Sequence, residues 1–284
     1  MAWLPLRGFP LAAAWMLGTV VSLLMMGLAG RELSAELDPH HIVFYRSVLS
    51  MALLLPFVLH AGFASVRTRY VARHIVRNTV HFAAMWCWLL GLALLPLAEV
   101  FALEFSSPIW TAVLATIFLG ERLSASRILA IVLGFSGILV LLRPGIAIVD
   151  PASLIVLSAA LGYAISYVVT KNLVGSDSAL TIVWWMSLVQ FPLGGLLSIG
   201  NFVIPSPSLW PWLAVVGSAG AASHYCLSQA LRHADATVVT PMDFLRLPLG
   251  ALIGWAAYAE AIDPFLALGG ALILAGNWVN LRRG

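Results

Sequence analysis

Charge is what this chain has least of. Lysine, arginine, aspartate and glutamate make up only 10% of its 284 residues, against 61% hydrophobic ones. Soluble domains carry about 25% charged and about 45–50% apolar residues. So few charges cannot clothe a globule in water, and a soluble fold is excluded. Cysteine is nearly absent too. Cys87 and Cys226 stand alone inside apolar stretches, which leaves no disulfide framework and no zinc spacing. No Walker A sequence, His-Glu-x-x-His or Cys-x-x-Cys occurs, so ATP drive and metal-enzyme chemistry have no local support. The basic residues form no stripe for a nucleic acid. Their one dense cluster, Arg67, Arg69, Arg73 and Arg77, reads as a cytoplasmic loop.

Helix-length apolar runs are what the chain has in plenty. A transmembrane helix takes roughly 20 apolar residues, so there is room for about ten. We place them at roughly 10–30, 41–60, 75–95, 97–119, 125–143, 152–171, 179–200, 209–231, 237–258 and 264–281. The connectors carry breakers such as Asp38-Pro39, Asp150-Pro151, Pro205-Ser206-Pro207 and Asp263-Pro264. Leu95-Pro96-Leu97 barely separates the third and fourth spans, which makes them an antiparallel hairpin. The run after Arg7 has many successors, so it reads as a retained span rather than a cleaved signal. With the N-terminus inside, 11 basic residues fall on the cytoplasmic side and 2, Arg31 and Arg143, outside. That predicts a cytoplasmic-membrane protein with both termini cytoplasmic.

The chain also repeats itself. A shift of 139 positions lays 104–143 on 243–282 and matches Phe105, Ala112, Glu121, Leu129, Leu133, Gly137, Val140, Leu142 and Arg143 identically. It sets Glu104 on Asp243 and Glu121 on Glu260. The halves are therefore about 1–145 and 146–284, with five spans each. Five is odd, so the second half is inverted, an arrangement typical of secondary transporters.

Three stretches sharpen this reading. They are Leu94-Leu95-Pro96-Leu97-Ala98-Glu99, Ser106-Ser107-Pro108-Ile109-Trp110 and Leu119-Gly120-Glu121-Arg122-Leu123. Followed by Gly134-Phe135-Ser136-Gly137, they resemble the EamA repeat of the drug/metabolite transporter superfamily. The second copy is degenerate, with Ala259-Glu260-Ala261-Ile262 at the place of the Gly-Glu-Arg-Leu motif. The resemblance implies an all-α integral membrane protein. Its ten transmembrane helices would form two inverted five-helix repeats around a central cavity. It implies a carrier of small molecules that needs no cofactor. It does not fix the cargo, since the superfamily includes exporters and importers of amino acids, vitamins and cofactors. Gly134-Phe135-Ser136-Gly137 also spells a rhomboid-protease motif, but the repeat places Ala275 before Gly276, with no serine. Small residues there suit close helix packing.

Ionisable groups inside spans mark the candidate site, because they are expensive in lipid and must face a cavity or a partner. Glu104, Pro108 and Thr111 share one helical face, and Asp243 and Arg246 are three apart, close enough to pair. Pro108 interrupts the fourth span and Pro241 and Pro248 the ninth, Pro248 one position past the exact partner of Pro108, and such Pro-interrupted segments in both halves are a sequence pointer to a transporter site. Arg46 either grips a substrate carboxylate or snorkels to the outer face. Tyr163 and Tyr167, four apart, are candidates to line the cavity, and His81 and His224 are either protonatable cavity groups or structural ones. Most tryptophans, Trp184 and Trp185 among them, read as interfacial belt residues. Glu121 and Glu260 read as groups that fix loops.

The mixed charge suits a zwitterion such as an amino-acid-like compound or an amino-acid-derived metallophore, moved by alternating access, and the family resemblance implies its export. The alternative is uptake of a vitamin or cofactor such as riboflavin, S-adenosylmethionine or a carnitine-like compound, with rings stacked on the aromatics. A proton could ride on Glu104 or Asp243, and exchange or facilitated diffusion is equally open. The expected partners are a small-molecule substrate and the lipid bilayer, with no nucleic acid and no metal.

Overall fold

The computed structural model describes residues 9–120, 125–142, 150–239, 242–243, 246–260 and 264–283. Among them are twelve α-helices and no strand. In chain order these are α1 (Phe9–Leu33), α2 (Pro39–Ala61), α3 (Val71–Leu94), α4 (Leu97–Glu104), α5 (Ser107–Leu119), α6 (Ala125–Leu142), α7 (Pro151–Leu173), α8 (Ala179–Leu197), α9 (Trp210–His233), α10 (Ala236–Val239), α11 (Arg246–Tyr258) and α12 (Pro264–Arg283). Taking α4 with α5 and α10 with α11 as broken spans, they make ten rods, in the order read from the sequence. Five apolar runs among the described residues are long enough to cross a membrane: Pro10–Leu33, Pro39–Ala61, Glu99–Leu119, Pro151–Leu173 and Ala179–Leu197.

Local chemistry sets the helix ends. Proline opens α2 at Pro39 and α7 at Pro151, where its missing N–H was unpaired anyway. The Asp150 carboxylate accepts from the Ala152 N–H at 2.8 Å, and the Ser178 hydroxyl from the Thr181 N–H at 3.0 Å. The break between α4 and α5 follows from Pro108, which has no N–H to offer the Glu104 carbonyl one turn back. Pro248 sits in the first turn of α11, where a proline is tolerated. Gly120, in the left-handed region at φ 69°, ends α5.

The most extensive helix pairings are α1 with α9, α6 with α12, α3 with α7 and α2 with α8. Each joins one of the first five rods to one of the last five. α1 stands to the first half as α7 does to the second, and α3 as α9. The α1–α9 and α3–α7 contacts are thus the same contact made twice, as inverted repeats require. Polarity runs opposite to that of a soluble protein. Phe57, Ile117, Phe118, Leu196 and other large apolar side chains face outward, while Arg46, Arg77, Glu104, Gln190 and Arg246 are buried. Lipid is the solvent that suits such a surface.

Glu260 fixes a loop, as the repeat suggests. Its carboxylate accepts the Leu97 N–H that opens α4 at 3.0 Å and pairs with Arg31 at 3.2 Å. Arg31 also donates to the Leu92 and Leu95 carbonyls. Its counterpart Glu121 lies outside the described residues. Between the loops, Ser206 donates two hydrogen bonds to Glu36 and holds that carboxyl below its ordinary range.

Small residues set the helix spacing. A Cβ at Gly217 on α9 would lie 2.5 Å from the Cβ of Leu49 on α2, a clash no side-chain rotation relieves. Gly217→Ala is therefore expected to destabilise the protein by about 1–3 kcal/mol, the usual range for overpacking. A lowered unfolding temperature in detergent checks it.

Candidate functional site

Span breaks bring three charged side chains to one point. Glu104 ends α4, Asp243 lies between α10 and α11, and Arg246 opens α11. Arg246 Nη2 donates to Glu104 Oε1 at 2.9 Å, Nη1 to Glu104 Oε2 at 3.2 Å, and Nη2 also to Asp243. Trp88 Nε1 donates to Glu104 Oε2 at 2.7 Å. The guanidinium also lies 5.2 and 5.3 Å from the ring centres of Phe101 and Phe105, within cation–π range. All three charged residues are buried, Arg246 to 1% exposure. Two anions thus flank one cation in a low-dielectric setting, where such a pair is worth keeping only if its hydrogen bonds are made.

Two small cavities border this cluster. Both are lined by Leu23, Glu104, Tyr167 and Arg246. One adds Ser107, Pro108 and Asp243, and the other adds Tyr163, His81, Trp88 and His224. Each has a volume of about 10 Å³, room for one water molecule. Neither cavity has room for a metabolite in this conformation.

A second polar cluster continues from His81 and His224. Arg77 Nε donates to Thr170 Oγ1 at 2.8 Å, Nη1 to Asn78 Oδ1 at 2.6 Å, and Nη2 to His224 Nδ1 at 3.5 Å. Arg46 donates to Gln190 Oε1. The Gln190 amide nitrogen therefore points the other way, to His81 Nδ1 at 2.9 Å and the Asn78 carbonyl at 3.2 Å. Arginine only donates, so it fixes the direction of every bond in this network. Both imidazoles accept at Nδ1, which leaves their protons on Nε2.

The chain matches the EamA-like transporter family over residues 10–143 and again over 150–282. It belongs to that family. Among relatives of this EamA protein, a riboflavin transporter of Rhizobium johnstonii is 32% identical, over 99% of this chain and 90% of that one. An S-adenosylmethionine uptake transporter of Rickettsia bellii is 25% identical over 95% and 92%. A pseudopaline exporter of Pseudomonas aeruginosa is 25% identical over 88% of each. A solved crystal structure shares the fold with a TM-score of 0.73 at 18% identity, covering 94% of this chain and 95% of the other. The protein is thus a multi-pass membrane transporter of small molecules in the drug/metabolite transporter superfamily, and its named relatives are transporters rather than enzymes.

Several sequence-marked residues meet at the EamA protein's centre: Glu104, Asp243, Arg246, Tyr163, Tyr167, His224 and Pro108. Arg46 does not snorkel. It is 1% exposed and points inward, over Gly220, where a Cβ would crowd its side chain at 3.1 Å. Thr111 is buried, but its hydroxyl donates to the Ser107 carbonyl in its own helix, and it is not among the described residues that line either cavity. Pro241 lies outside the described residues. Arg77 corrects the loop reading: it is 0% exposed inside α3, because the helix starts six residues earlier and turns that face inward. Trp184 is buried, and the Trp185 indole donates to the Val66 carbonyl, so neither is a free belt residue. Trp88, counted with the belt tryptophans, is the donor to Glu104. At the start of α2, Asp38, His40 and His41 bring one oxygen and two ring nitrogens within 4.8 Å of one another, a donor set that the sequence reading passed over.

Removing Arg246 leaves two buried carboxylates facing each other. Arg246→Gln is expected to cost about 3–5 kcal/mol of stability, the usual loss when one partner of a buried pair is deleted. Glu104→Gln should cost less, since Asp243 still answers the arginine. Thermal unfolding of the two variants in the same detergent compares them.

Proposed function

We propose that this transporter takes up a small heterocyclic metabolite of the vitamin or nucleoside-cofactor kind, by alternating access of the two halves 1–145 and 146–284. The observation that carries the reading is the cavity's lining. Tyr163, Tyr167, Trp88, His81 and His224 offer ring faces and edges, which suit a flat conjugated cargo. The zwitterion reading drew on charge of both signs in the cavity, and that motive weakens here, because Glu104 and Asp243 are both bonded to Arg246. Riboflavin and S-adenosylmethionine, the cargoes that two relatives are named for, are both heterocycles with extended ring systems. The pseudopaline exporter keeps export of an amino-acid-derived compound as the second reading.

In this reading Tyr167 stacks on the cargo, and the Glu104–Arg246 pair closes the path between the halves. Both termini face the cytoplasm. Taking Arg77 from the cytoplasmic count leaves ten basic residues against two.

Purified protein in proteoliposomes should take up radiolabelled riboflavin faster than empty vesicles. Tyr167→Ala should slow that uptake by about tenfold, equivalent to losing roughly 1.4 kcal/mol of stacking. If neither riboflavin nor S-adenosylmethionine enters while a preloaded amino acid leaves, the export reading replaces this one. Repeating the assay with an imposed pH gradient decides whether a proton moves with the cargo.

A further inference from the structure

Among the described residues, no carboxylate pairs with the two arginines beside the cavity. Arg46 and Arg77 are 1% and 0% exposed. Their bonds go to Gln190, Asn78, Thr170 and His224, all neutral acceptors. The described carboxylates are placed elsewhere. Glu104 and Asp243 hold Arg246, Asp177 holds His74 and Thr68, Glu260 holds Arg31, and Asp235 faces Lys171. Glu32 accepts from Tyr258, Glu36 from Ser206, Glu99 from Ser153, and Asp150 from the start of α7, while Asp38 is exposed at the start of α2.

The unmet hydrogen-bonding capacity has the same sense. Arg46 Nε and Asn78 Nδ2 are buried donors with no acceptor, and the hydroxyls of Ser166 and Ser187 are buried without a partner. Ser166 is one turn before Thr170 on α7, and Ser187 is one turn before Gln190 on α8. Each therefore flanks a member of the network. Dipoles alone rarely hold two like charges away from water. A surplus of donors around two guanidinium groups is the signature of a site for an anion, and guanidinium grips oxyanions in bidentate fashion.

We infer that Arg46 and Arg77 form an oxyanion subsite at the far side of His81 and His224 from Glu104, taking a carboxylate or phosphate group. The inference deepens the transport reading, by stating one charge that the cargo carries or brings with it. It stands on burial and hydrogen bonding, not on the identity of the ring.

Thermal unfolding of the purified full chain in detergent, at fixed ionic strength, tests it with inorganic phosphate and with benzoate, chloride being the reference. At least one should raise the unfolding temperature saturably in the unsubstituted protein. Arg77→Gln should weaken that response at least tenfold in concentration. Gln190→Glu supplies a carboxylate to Arg46 from within. It should raise the unfolding temperature without added anion and weaken the response to phosphate or benzoate at least tenfold. A flat response in the unsubstituted protein overturns the subsite, and so does a response that both variants keep. Riboflavin and riboflavin 5′-phosphate, as competitors in the uptake assay, then name the anion's source. Tenfold stronger competition by the phosphorylated form puts the charge on the cargo. Acceleration of uncharged riboflavin by inorganic phosphate makes it a co-bound ion. If unfolding responds but neither riboflavin nor S-adenosylmethionine enters, the subsite stands and the heterocycle reading falls.

Discussion

A buried charge in a membrane protein has no water to turn to, and the centre of this molecule is arranged around that constraint. Arg246 is answered by two carboxylates, an indole-bonded one from α4 and a neighbour three residues back. The breaks in the fourth and ninth spans follow from it. Glu104 reaches Arg246 from the last residue of α4, and Arg246 meets it from the first residue of α11. Pro108 makes the first of those ends, and the first turn of α11 accommodates Pro248. Phe101 and Phe105 then close over the guanidinium.

The pair is also a suitable gate. Glu104 belongs to the first half and Arg246 to the second, while Asp243 shares the second half with Arg246. In the proposed alternating access, parting of Glu104 from Arg246 would leave the Asp243–Arg246 bond intact. Glu104 keeps its bond from Trp88, also a first-half residue. Neither charge is abandoned on opening, so the two arrangements differ by less than a full buried ion pair would. Packed interfaces that switch between discrete arrangements need such a modest gap. The cavities beside the pair, each with room for about one water, belong to the arrangement in which Glu104 and Arg246 are bonded.

The sequence carried the helix order, the repeat and the matched acids Glu104 and Asp243, because apolar run length and a fixed shift are one-dimensional signals. It offered the Asp243–Arg246 pair, three residues apart, but was silent on the Glu104–Arg246 one, because those two are 142 positions apart. Arg77 was misread for a different reason. Counting arginines near span ends assigns each to a loop, whatever face it occupies. The corrective signal was present: His74, Arg77, Asn78 and His81 recur at three- and four-residue spacing, a polar stripe on an otherwise apolar helix, and all four are buried. In a lipid-facing rod such a stripe points inward. Trp88 lies seven residues beyond His81, two turns on, and so continues the same face toward Glu104.

The repeat echoes the carboxylates Glu104 and Asp243 but none of the buried arginines, since Arg246 falls on Ser107. Glu104 and Asp243 are equivalent under the repeat and both bond Arg246, the first across the halves and the second within one. The cationic pair has no such echo. A shift of 140, which lays Ile42-Val43 on Ile182-Val183 and Ser47 on Ser187, sets Arg46 on Met186, and neither it nor 139 sets Arg77 on a charged residue. The second half answers with neutral groups instead, Gln190, Thr170 and His224. A feature demanded by the fold of an inverted repeat should appear in both halves. A feature demanded by an asymmetric cargo need appear in only one. Two buried guanidinium groups contributed by α2 and α3 alone, each a cost to folding, are the part of this interior that the scaffold does not explain and a bound anion does.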